Sequence, residues 1–484
     1  MKREVFSMKR DYVMVRVIFL VLCFLLGMGG PAFTAEAPKA AAPAGLIPSS
    51  YKEFNIGDVK IKFGADDRIR YENRQDFKFG DATTPGNDDG LWYNRFRINM
   101  NVAYQNFTAF VEGLQNDDWH DEIKPAKQRD ELDLHQAYLK LSKPGNLPVS
   151  LKVGRQKLSY GAQRLIAAPV WSNNIRSFDA IRFTYNPASF DIDFFVGTEV
   201  IYENNKFNDS RWGKYLYGVY VTYKGIPGNV FDLYSINVTD EHDDLSQIQT
   251  YTSKTAPKRY YRDIKRYTIG TRGEGKIAST NFGYGYEFAY QFGDQDAEVT
   301  TGNMKSQDIR AWAVHADVNY AFKGIFSQPV IKLEYNYATG DSDPANGTSK
   351  TFDPLFQTRH GPYGLIDFIR WQNMVEYAVF LDFTPIKDRV KGSLQYHRYY
   401  LDETNDAWYG TGGTKMRYNA KSKNASDYLG DEVDMVLNYK VFSFLELEGG
   451  YAHFFSGDYI KDTVTGATKS ADADWFYLQT VITF

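Results

Sequence analysis

The chain has 484 residues, a formal net charge of −4 at pH 7, and 36 Tyr, 34 Phe and 39 Gly but a single cysteine. The acidic balance excludes a globally basic nucleic-acid binder, so any anionic partner must meet a local basic surface. The single cysteine excludes an internal disulfide framework and a thiolate zinc site.

The first 35 residues have the pattern of an export signal. An apolar run over residues 17–28 follows a basic start, and Ala35-Glu36-Ala37 supplies small residues for cleavage. This run is shorter than the ~20 apolar residues of a membrane-spanning helix, which disfavours a retained anchor. We predict a cleaved signal over 1–35, a flexible Ala/Pro-rich lead-in over 36–50 and a transmembrane domain over 51–484. The basic residues of the signal are Lys2, Arg3, Lys9 and Arg10.

Apolar and polar residues alternate along most of the remaining chain. In residues 95–104, for example, Phe96, Ile98 and Met100 share one face of a strand, and Arg95 and Arg97 share the other. Such strands form either a soluble sandwich, where apolar faces meet in a core, or a membrane barrel, where they face lipid. Tyr and Trp at strand ends, charges in the middle of polar faces and a final strand ending in Phe484 favour the barrel. We therefore predict an all-β, antiparallel transmembrane barrel in the outer membrane of a Gram-negative bacterium.

The pattern predicts about eighteen strands, an even number as bacterial barrels require. Barrels of this size leave an aqueous channel, whereas eight strands are filled by side chains. Short links at 186–188 and 224–229 are interpreted as periplasmic turns. Longer polar stretches at 76–92, 240–262, 339–369 and 401–427 are interpreted as extracellular loops or inward-folded plugs. The predicted strands are 57–72, 93–104, 107–116, 130–142, 148–157, 176–186, 189–198, 213–224, 228–239, 263–275, 280–292, 308–322, 328–338, 370–383, 388–400, 428–440, 442–454 and 473–484.

The polar faces of the first two predicted strands are basic. Arginine forks bind carboxylates through two hydrogen bonds, and rings of Arg or Lys select anions in pores. An anion-selective lumen is one interpretation. The other is that these cations keep water in the pore and pair with Glu72, Glu112, Glu334 or Glu376. The cations concerned are Lys60, Lys62, Arg68, Arg70, Arg95 and Arg97.

Two segments carry motifs that resemble the alginate-export family of outer-membrane porins. The first lies within 153–179, and the second begins at 352. The resemblance extends over essentially the whole mature chain, and it implies an eighteen-stranded monomeric barrel with an arginine-lined constriction that exports an acidic polysaccharide. The first segment contains Gly154-Arg155-Gln156, Tyr160-Gly161, Gln163-Arg164-Leu165, Trp171 and Arg176-Ser177-Phe178-Asp179; the second contains Phe352-Asp353-Pro354-Leu355-Phe356, His360-Gly361, Tyr363-Gly364 and Asp367.

Carried over to this chain, the resemblance assigns Arg155, Arg164 and Arg176 to the constriction, with Asp179 as their acidic partner. Arg359 would lie on a loop folded towards the pore, and Arg370 on the polar face of the strand 370–383. The alternative is that the first segment is a folding device, an inward turn that arginines tie to the barrel wall. Arg155 also alternates with Leu151 and Val153, so it would face lipid unless a bulge follows Gly154.

The function predicted from these residues is a channel for an anionic polysaccharide such as alginate, with export as the favoured direction. A general or small-solute porin on the same scaffold is the first alternative, and a soluble exported sandwich is another. An outer-membrane enzyme is disfavoured, because Ser393 and His397 would lie ~13 Å apart along one strand. The expected partners are the polysaccharide, outer-membrane lipid and periplasmic export proteins; we expect a monomer with no cofactor, no metal and no nucleic acid. Acidic residues predicted to face the lumen would repel a polyanion on that wall: Asp317, Glu334, Glu376, Glu446 and Glu448.

Overall fold

Eighteen antiparallel strands, each paired with its neighbours along the chain, close into one barrel. In the computed structural model the last strand pairs with the first from Asp66↔Thr483 to Gln75↔Asp474, and the Phe484 amide donates to the Ala65 carbonyl at 2.8 Å. The strands are β1 Val59–Gln75, β2 Asp89–Tyr104, β3 Phe107–His120, β4 Asp130–Ser142, β5 Val149–Gln156, β6 Phe178–Tyr185, β7 Phe190–Ile201, β8 Lys214–Tyr223, β9 Asn229–Asp240, β10 Ile264–Lys276, β11 Phe282–Thr300, β12 Asn303–Ala321, β13 Val330–Ala338, β14 Met374–Ile386, β15 Val390–Tyr400, β16 Tyr428–Phe442, β17 Leu445–Ser456 and β18 Ala473–Thr483.

The structure describes residues 53–79, 87–120, 129–204, 206–240, 263–300, 303–413, 415–417, 422–464 and 471–484. The predicted signal and lead-in, residues 1–50, lie outside these described residues, as does most of the predicted loop 240–262. No helix among the described residues has the length and apolar character needed to cross a membrane.

Each strand has one face suited to lipid and one face suited to the interior of the barrel. On β7, Phe194 and Val196 are 47% and 45% exposed on the outward face, whereas Phe195 between them is 4% exposed on the inward face. Outward apolar side chains suit lipid, and closure leaves no unpaired strand edge in a medium that offers no hydrogen bonds. The predicted barrel of eighteen strands in the outer membrane is confirmed.

Two predicted boundaries differ from the structure for identifiable reasons. Strands β11 and β12 run to Thr300 and from Asn303, well past the predicted ends, because the backbone ladder continues where the polar sequence no longer alternates. Strand β14 begins at Met374 rather than 370, because Asn373 has a φ of 48°, which strand backbone does not adopt. Arg370 therefore belongs to a loop and not to the strand predicted for it.

Short strands and one short helix lie at the two ends of the barrel. Glu53–Ile56 pairs with the start of β1, Asp209–Ser210 with the end of β7, and Thr348–Ser349 with β12. Trp408–Tyr409 pairs with Lys415–Arg417, and helix α1 covers Asp458–Thr463. Short turns join the strands at one end and longer segments at the other, which by the usual orientation are the periplasmic and extracellular ends.

Two of the longer segments fold into the barrel, and we name them the first plug loop (157–177) and the second plug loop (339–373). Their apolar side chains pack with inward residues of the wall into one buried core. The core therefore lies inside the barrel towards its extracellular end, and it narrows the lumen there. Its loop members include Leu158, Leu165, Ile166, Phe352, Phe356, Leu365, Ile366, Phe368 and Trp371.

Candidate pore constriction

The two plug loops contact each other inside the barrel, next to the wall formed by β6, β7 and β8. The Ala167 amide donates to the Phe356 carbonyl, and the Phe356 amide donates to the Leu165 carbonyl, both at 2.9 Å. Arg176 reinforces this contact, because its Nη1 reaches the Phe356 carbonyl at 2.6 Å and its Nε reaches Glu199 on β7 at 3.0 Å. The loops are thus one unit, tied by Arg176 to the wall.

Arginines of β1 and β2 hold one end of the first plug loop. Arg68 donates to the carbonyls of Val170 and Trp171 at 3.1 and 2.8 Å, and Arg95 donates to the carbonyl of Ser172 at 3.0 Å. Arg68 and Arg95 face each other across the two strands, so the loop carbonyls also separate two like charges. These buried guanidinium groups are bound by backbone and are not free for a solute.

The other end of the first plug loop reaches the opposite wall. Arg164 approaches His315 on β12 at 3.0 Å, Glu287 on β11 at 3.4 Å and Glu334 on β13 at 3.9 Å. In a ring of eighteen strands, β11 lies opposite β2. The first plug loop therefore crosses the lumen, with backbone carbonyls against a basic wall and a guanidinium against an acidic one.

The second plug loop is anchored by two carboxylates. Asp353 accepts from Arg266 of β10 at 2.6 Å and from Arg370 at 2.9 Å. Burial opposes ionisation of Asp353, but the two guanidinium groups outweigh it and hold the pKa of this carboxyl below its usual value. Glu432 of β16 accepts from the amides of Leu365 and Ile366 at 2.7 and 2.9 Å.

Arg359 lies exposed on the second plug loop. Among the described residues, no hydrogen bond or ion pair joins its guanidinium to another group. The surrounding loops limit its hydration, and this desolvation, with the nearby charges of Arg176 and Arg370, lowers the pKa of Arg359. Of the predicted arginines, it is the one for which the described residues offer no hydrogen-bond or ion-pair partner.

An aromatic stack links the plug loops to the wall beside this arginine. The ring centroids of Trp171 and His360 lie 3.8 Å apart at an interplanar angle of 13°, and the Arg70 Cζ lies 3.7 Å from the centroid of the Trp171 ring. His360 also approaches Asp367 at 3.1 Å. Burial raises the pKa of Asp367 despite His360, and the charge of Glu72 adds to the effect. The stack fixes the two loops relative to β1.

Three other predicted cations are paired on the inner wall. Lys62 approaches Glu53 at 2.8 Å, Lys60 contacts the same carboxylate, and Arg97 approaches Asp66 at 2.7 Å. Arg70 also pairs with Glu72 at 2.8 Å. The interpretation that lumen cations pair with nearby acids thus describes this part of the wall.

No bulge follows Gly154. The pairs Tyr138↔Gly154 and Ala137↔Arg155 are consecutive, so Arg155 keeps the phase of Leu151 and Val153, which are 41% and 42% exposed. Its guanidinium forms a fork with Asp179 at 3.0 and 2.9 Å and reaches the Asn208 carbonyl at 3.1 Å. Arg155 and Asp179 therefore clamp neighbouring strands, and the lumen position expected for Arg155 is not what the structure shows.

Several residues of the constriction were not predicted as site residues. Arg266 and Thr268 both lie on the inward face of β10, and the alternation of the sequence alone would have predicted this position for Arg266. Glu287 and Glu432 lie on inward faces too, but only the path of the plug loops shows that they bind Arg164 and loop amides.

Glycine is required at one point of the second plug loop. Gly364 has a φ of 84°, and a Cβ there would lie 2.5 Å from both a Glu432 oxygen and the Tyr399 hydroxyl. Gly361 has a φ of 89° with nothing within 4 Å of its Cβ position, so it is a matched control. We expect Gly364→Ala to destabilise the loop by about 1–3 kcal/mol more than Gly361→Ala. Open-channel noise in planar bilayers measures this, and equal noise in both variants would contradict it.

Solved structures share the fold at low sequence identity. OccK8 (OprE) of Pseudomonas aeruginosa has a TM-score of 0.54 and 14% identity, covering 88% of this chain and 98% of that one. OpdQ of the same organism has a TM-score of 0.54 and 12% identity, covering 89% and 99%. OccAB1 of Acinetobacter baumannii has a TM-score of 0.55 and 10% identity, covering 88% and 96%. At this level of identity, the likeness shows the barrel fold alone.

Sequence comparison assigns the family. Curated proteins give no match to this chain. The family model described as alginate export matches residues 59–474, which run from the start of β1 into β18. The motifs in 153–179 and after 352, which carried the resemblance, lie in the plug loops and the strands beside them. The chain therefore belongs to the alginate export family, and it forms a channel in the bacterial outer membrane.

Proposed function

We propose that this channel passes an anionic polysaccharide, in the direction of export, and that Arg359 is the cation against which its carboxylates move. The observation that carries this proposal is the exposed Arg359 guanidinium on the second plug loop, one of the two loops that narrow the lumen. Conduction needs binding that is favourable but weak at each site. One free guanidinium beside neutralised ones meets that need better than a ring of unpaired cations, which would hold a polyanion too tightly.

The paired charges around Arg359 support the same conclusion. Arg176 is bound to Glu199 and Arg370 to Asp353, so both add positive potential without offering a free fork. Two carboxylates of the predicted acidic wall are paired with basic side chains. Glu334 binds Lys332 at 2.5 Å, and Glu376 binds His397 at 2.7 Å. A chain of uronates would therefore pass between the basic loop and a wall on which these two carboxylates are already paired.

Replacing Arg359 tests the proposal directly. In planar bilayers, Arg359→Gln should reduce the anion selectivity measured by reversal potential and should weaken block by oligo-uronates about tenfold, since one charge-assisted pair is lost. Arg310→Gln is the matched control, because Arg310 is exposed and pairs with Asp308 at 3.3 Å on the outward phase of β12. Unchanged selectivity and block in Arg359→Gln would contradict the proposal.

A small-solute channel is the alternative that a barrel of eighteen strands permits. The two functions differ in how block depends on solute length, because a polymer exporter should hold a longer oligo-uronate longer. Block by a monomeric uronate that equals block by an oligomer, or block by neutral oligosaccharides of the same length, would favour the small-solute channel. This chain belongs to a family of channels and folds as a closed barrel, so we propose no enzymatic activity for it.

A further inference from the structure

Three cations lie side by side on the inner wall of β4, β5 and β6. Lys140 pairs with Lys152 across β4 and β5, and Lys152 pairs with Arg182 across β5 and β6. We call Lys140, Lys152 and Arg182 the cation rung. Their outward neighbours Leu139 and Ile181 are 68% and 48% exposed to lipid, so the rung faces the lumen.

The three like charges of the cation rung lower the stability of the barrel when no anion is bound beside them. Like charges directly opposite each other on neighbouring strands are destabilising. Arg182 has a partner, Asp193, at 3.1 Å. Within the described ranges, neither Lys140 nor Lys152 has a carboxylate within 4.0 Å. Two adjacent lysines without counter-ions in a wet lumen form a place where a mobile anion is attracted.

Two aromatic side chains lie beside the cation rung. The Lys152 ammonium lies 3.6 Å from the centre of the Tyr138 ring, and Tyr138 stacks on Phe110 with centroids 5.1 Å apart. Both rings are partly exposed on the inward face. A carboxylated sugar carries a charge for the ammonium groups and an apolar C–H face for the rings. A simple inorganic anion would use only the first of these features.

The rung lies close to the end of the barrel with short turns. Ser142↔Ser150 is the last pair of β4 and β5, two residues beyond Lys140↔Lys152, and the turn 143–148 follows. The plug loops lie on the other side of the rung, since the first of them starts after β5 ends at Gln156. A polymer entering from the periplasmic side would meet the rung before it met Arg359.

From this geometry we infer that the cation rung is a landing site for uronate-type saccharides at the periplasmic mouth, separate from the constriction. This inference rests on the proposed function and names where the substrate first binds. Carboxylates would bridge Lys140 and Lys152, while the C–H face of the sugar contacts the exposed edges of the Tyr138 and Phe110 rings. The site raises the local concentration of polymer ends and feeds them towards the plug loops.

The test is the sidedness of current block in the full mature protein. Oligo-uronates are added to the short-turn side or to the loop side of wild-type channels and of Lys140→Gln/Lys152→Gln. The double variant should block about tenfold more slowly from the short-turn side and within about twofold of wild type from the loop side, because it loses only local attraction. Lys140→Arg/Lys152→Arg should retain wild-type block, which also shows that the site tolerates substitution.

Lys323→Gln/Lys387→Gln is the matched control. Both lysines are exposed in turns at the same end of the barrel, 322–329 and 387–389, away from β4 to β6. Equal slowing in this control would overturn the inference, since general charge at the mouth would then explain it. Equal slowing from both sides in the rung variant would overturn it too.

The two proposals fail in different ways. If oligo-uronates block wild-type channels but the rung variant is unaffected, the landing site is wrong and the proposed function stands. If wild-type channels are not blocked from either side, the proposed function fails and the landing site with it. An acidic peptide of equal charge that blocks as well, with the same dependence on Lys140 and Lys152, would overturn the assignment to saccharides.

Discussion

Replacing Arg68 and Arg95 together by methionine is expected to open the channel. These residues donate to the carbonyls of Val170, Trp171 and Ser172 and hold the first plug loop against β1 and β2. Hydrogen bonds to charged groups contribute about 1.5–3 kcal/mol each, so losing them outweighs the relief of repulsion between the two arginines. Single-channel conductance should rise several-fold, roughly as the loop leaves the lumen.

The barrel itself should survive this change, because its backbone ladder is untouched. Arg97→Met is the matched control: Arg97 lies on the same inner wall but binds Asp66 and not the loop. Its conductance should stay at the wild-type level. A double variant with wild-type conductance and a lower unfolding temperature would show that these arginines stabilise the wall without closing the pore, contrary to our expectation.

Loss of the Asp353 carboxylate is expected to release the second plug loop. Asp353 is partly exposed, but the Arg266 and Arg370 side chains that it bridges are largely buried, and removing the partner of a buried charge costs about 3–5 kcal/mol because that charge remains. Asp353→Asn should therefore raise conductance and strengthen anion selectivity, since two guanidinium groups become free. Asp343→Asn on the same loop is the control, because the Asp343 carboxylate is exposed and its amide, not its carboxylate, contacts Asp341.

Acid should reproduce this release in the wild type. The pKa of Asp353 is below its usual value, so its contribution to stability is complete above the usual carboxyl pKa near 4 and is lost as pH falls through the lower, folded-state pKa. Conductance should be constant from neutral pH down to about pH 4 and rise below it. The rise should be absent from Asp353→Asn, which is already open. A rise of equal size in that variant would assign the acid response to other groups.

The sequence predicts the strands of the barrel wall better than it predicts the contacts inside the lumen. All eighteen predicted strands overlap strands of the structure, because alternation is a local property that lipid on one face and water on the other enforce. The phase of Arg68, Arg70, Arg95 and Arg97 was readable for the same reason. The ends of β11 and β12 were not, since outside the membrane nothing requires an apolar face.

What the sequence by itself determined is the barrel, its compartment and which face of each strand meets water. Only the tertiary structure decided which cations remain free. Arg68 and Val170 are 102 residues apart, and no periodicity records that a loop crosses the lumen to bring a carbonyl to that guanidinium. The same loop path leaves Arg359 without a partner among the described residues, and the register of the hairpin β4–β5 places Lys140 beside Lys152. The cations that stay unpaired in the pore are those that meet no carboxylate or carbonyl group, and those contacts depend on the folded path of the loops and on strand register.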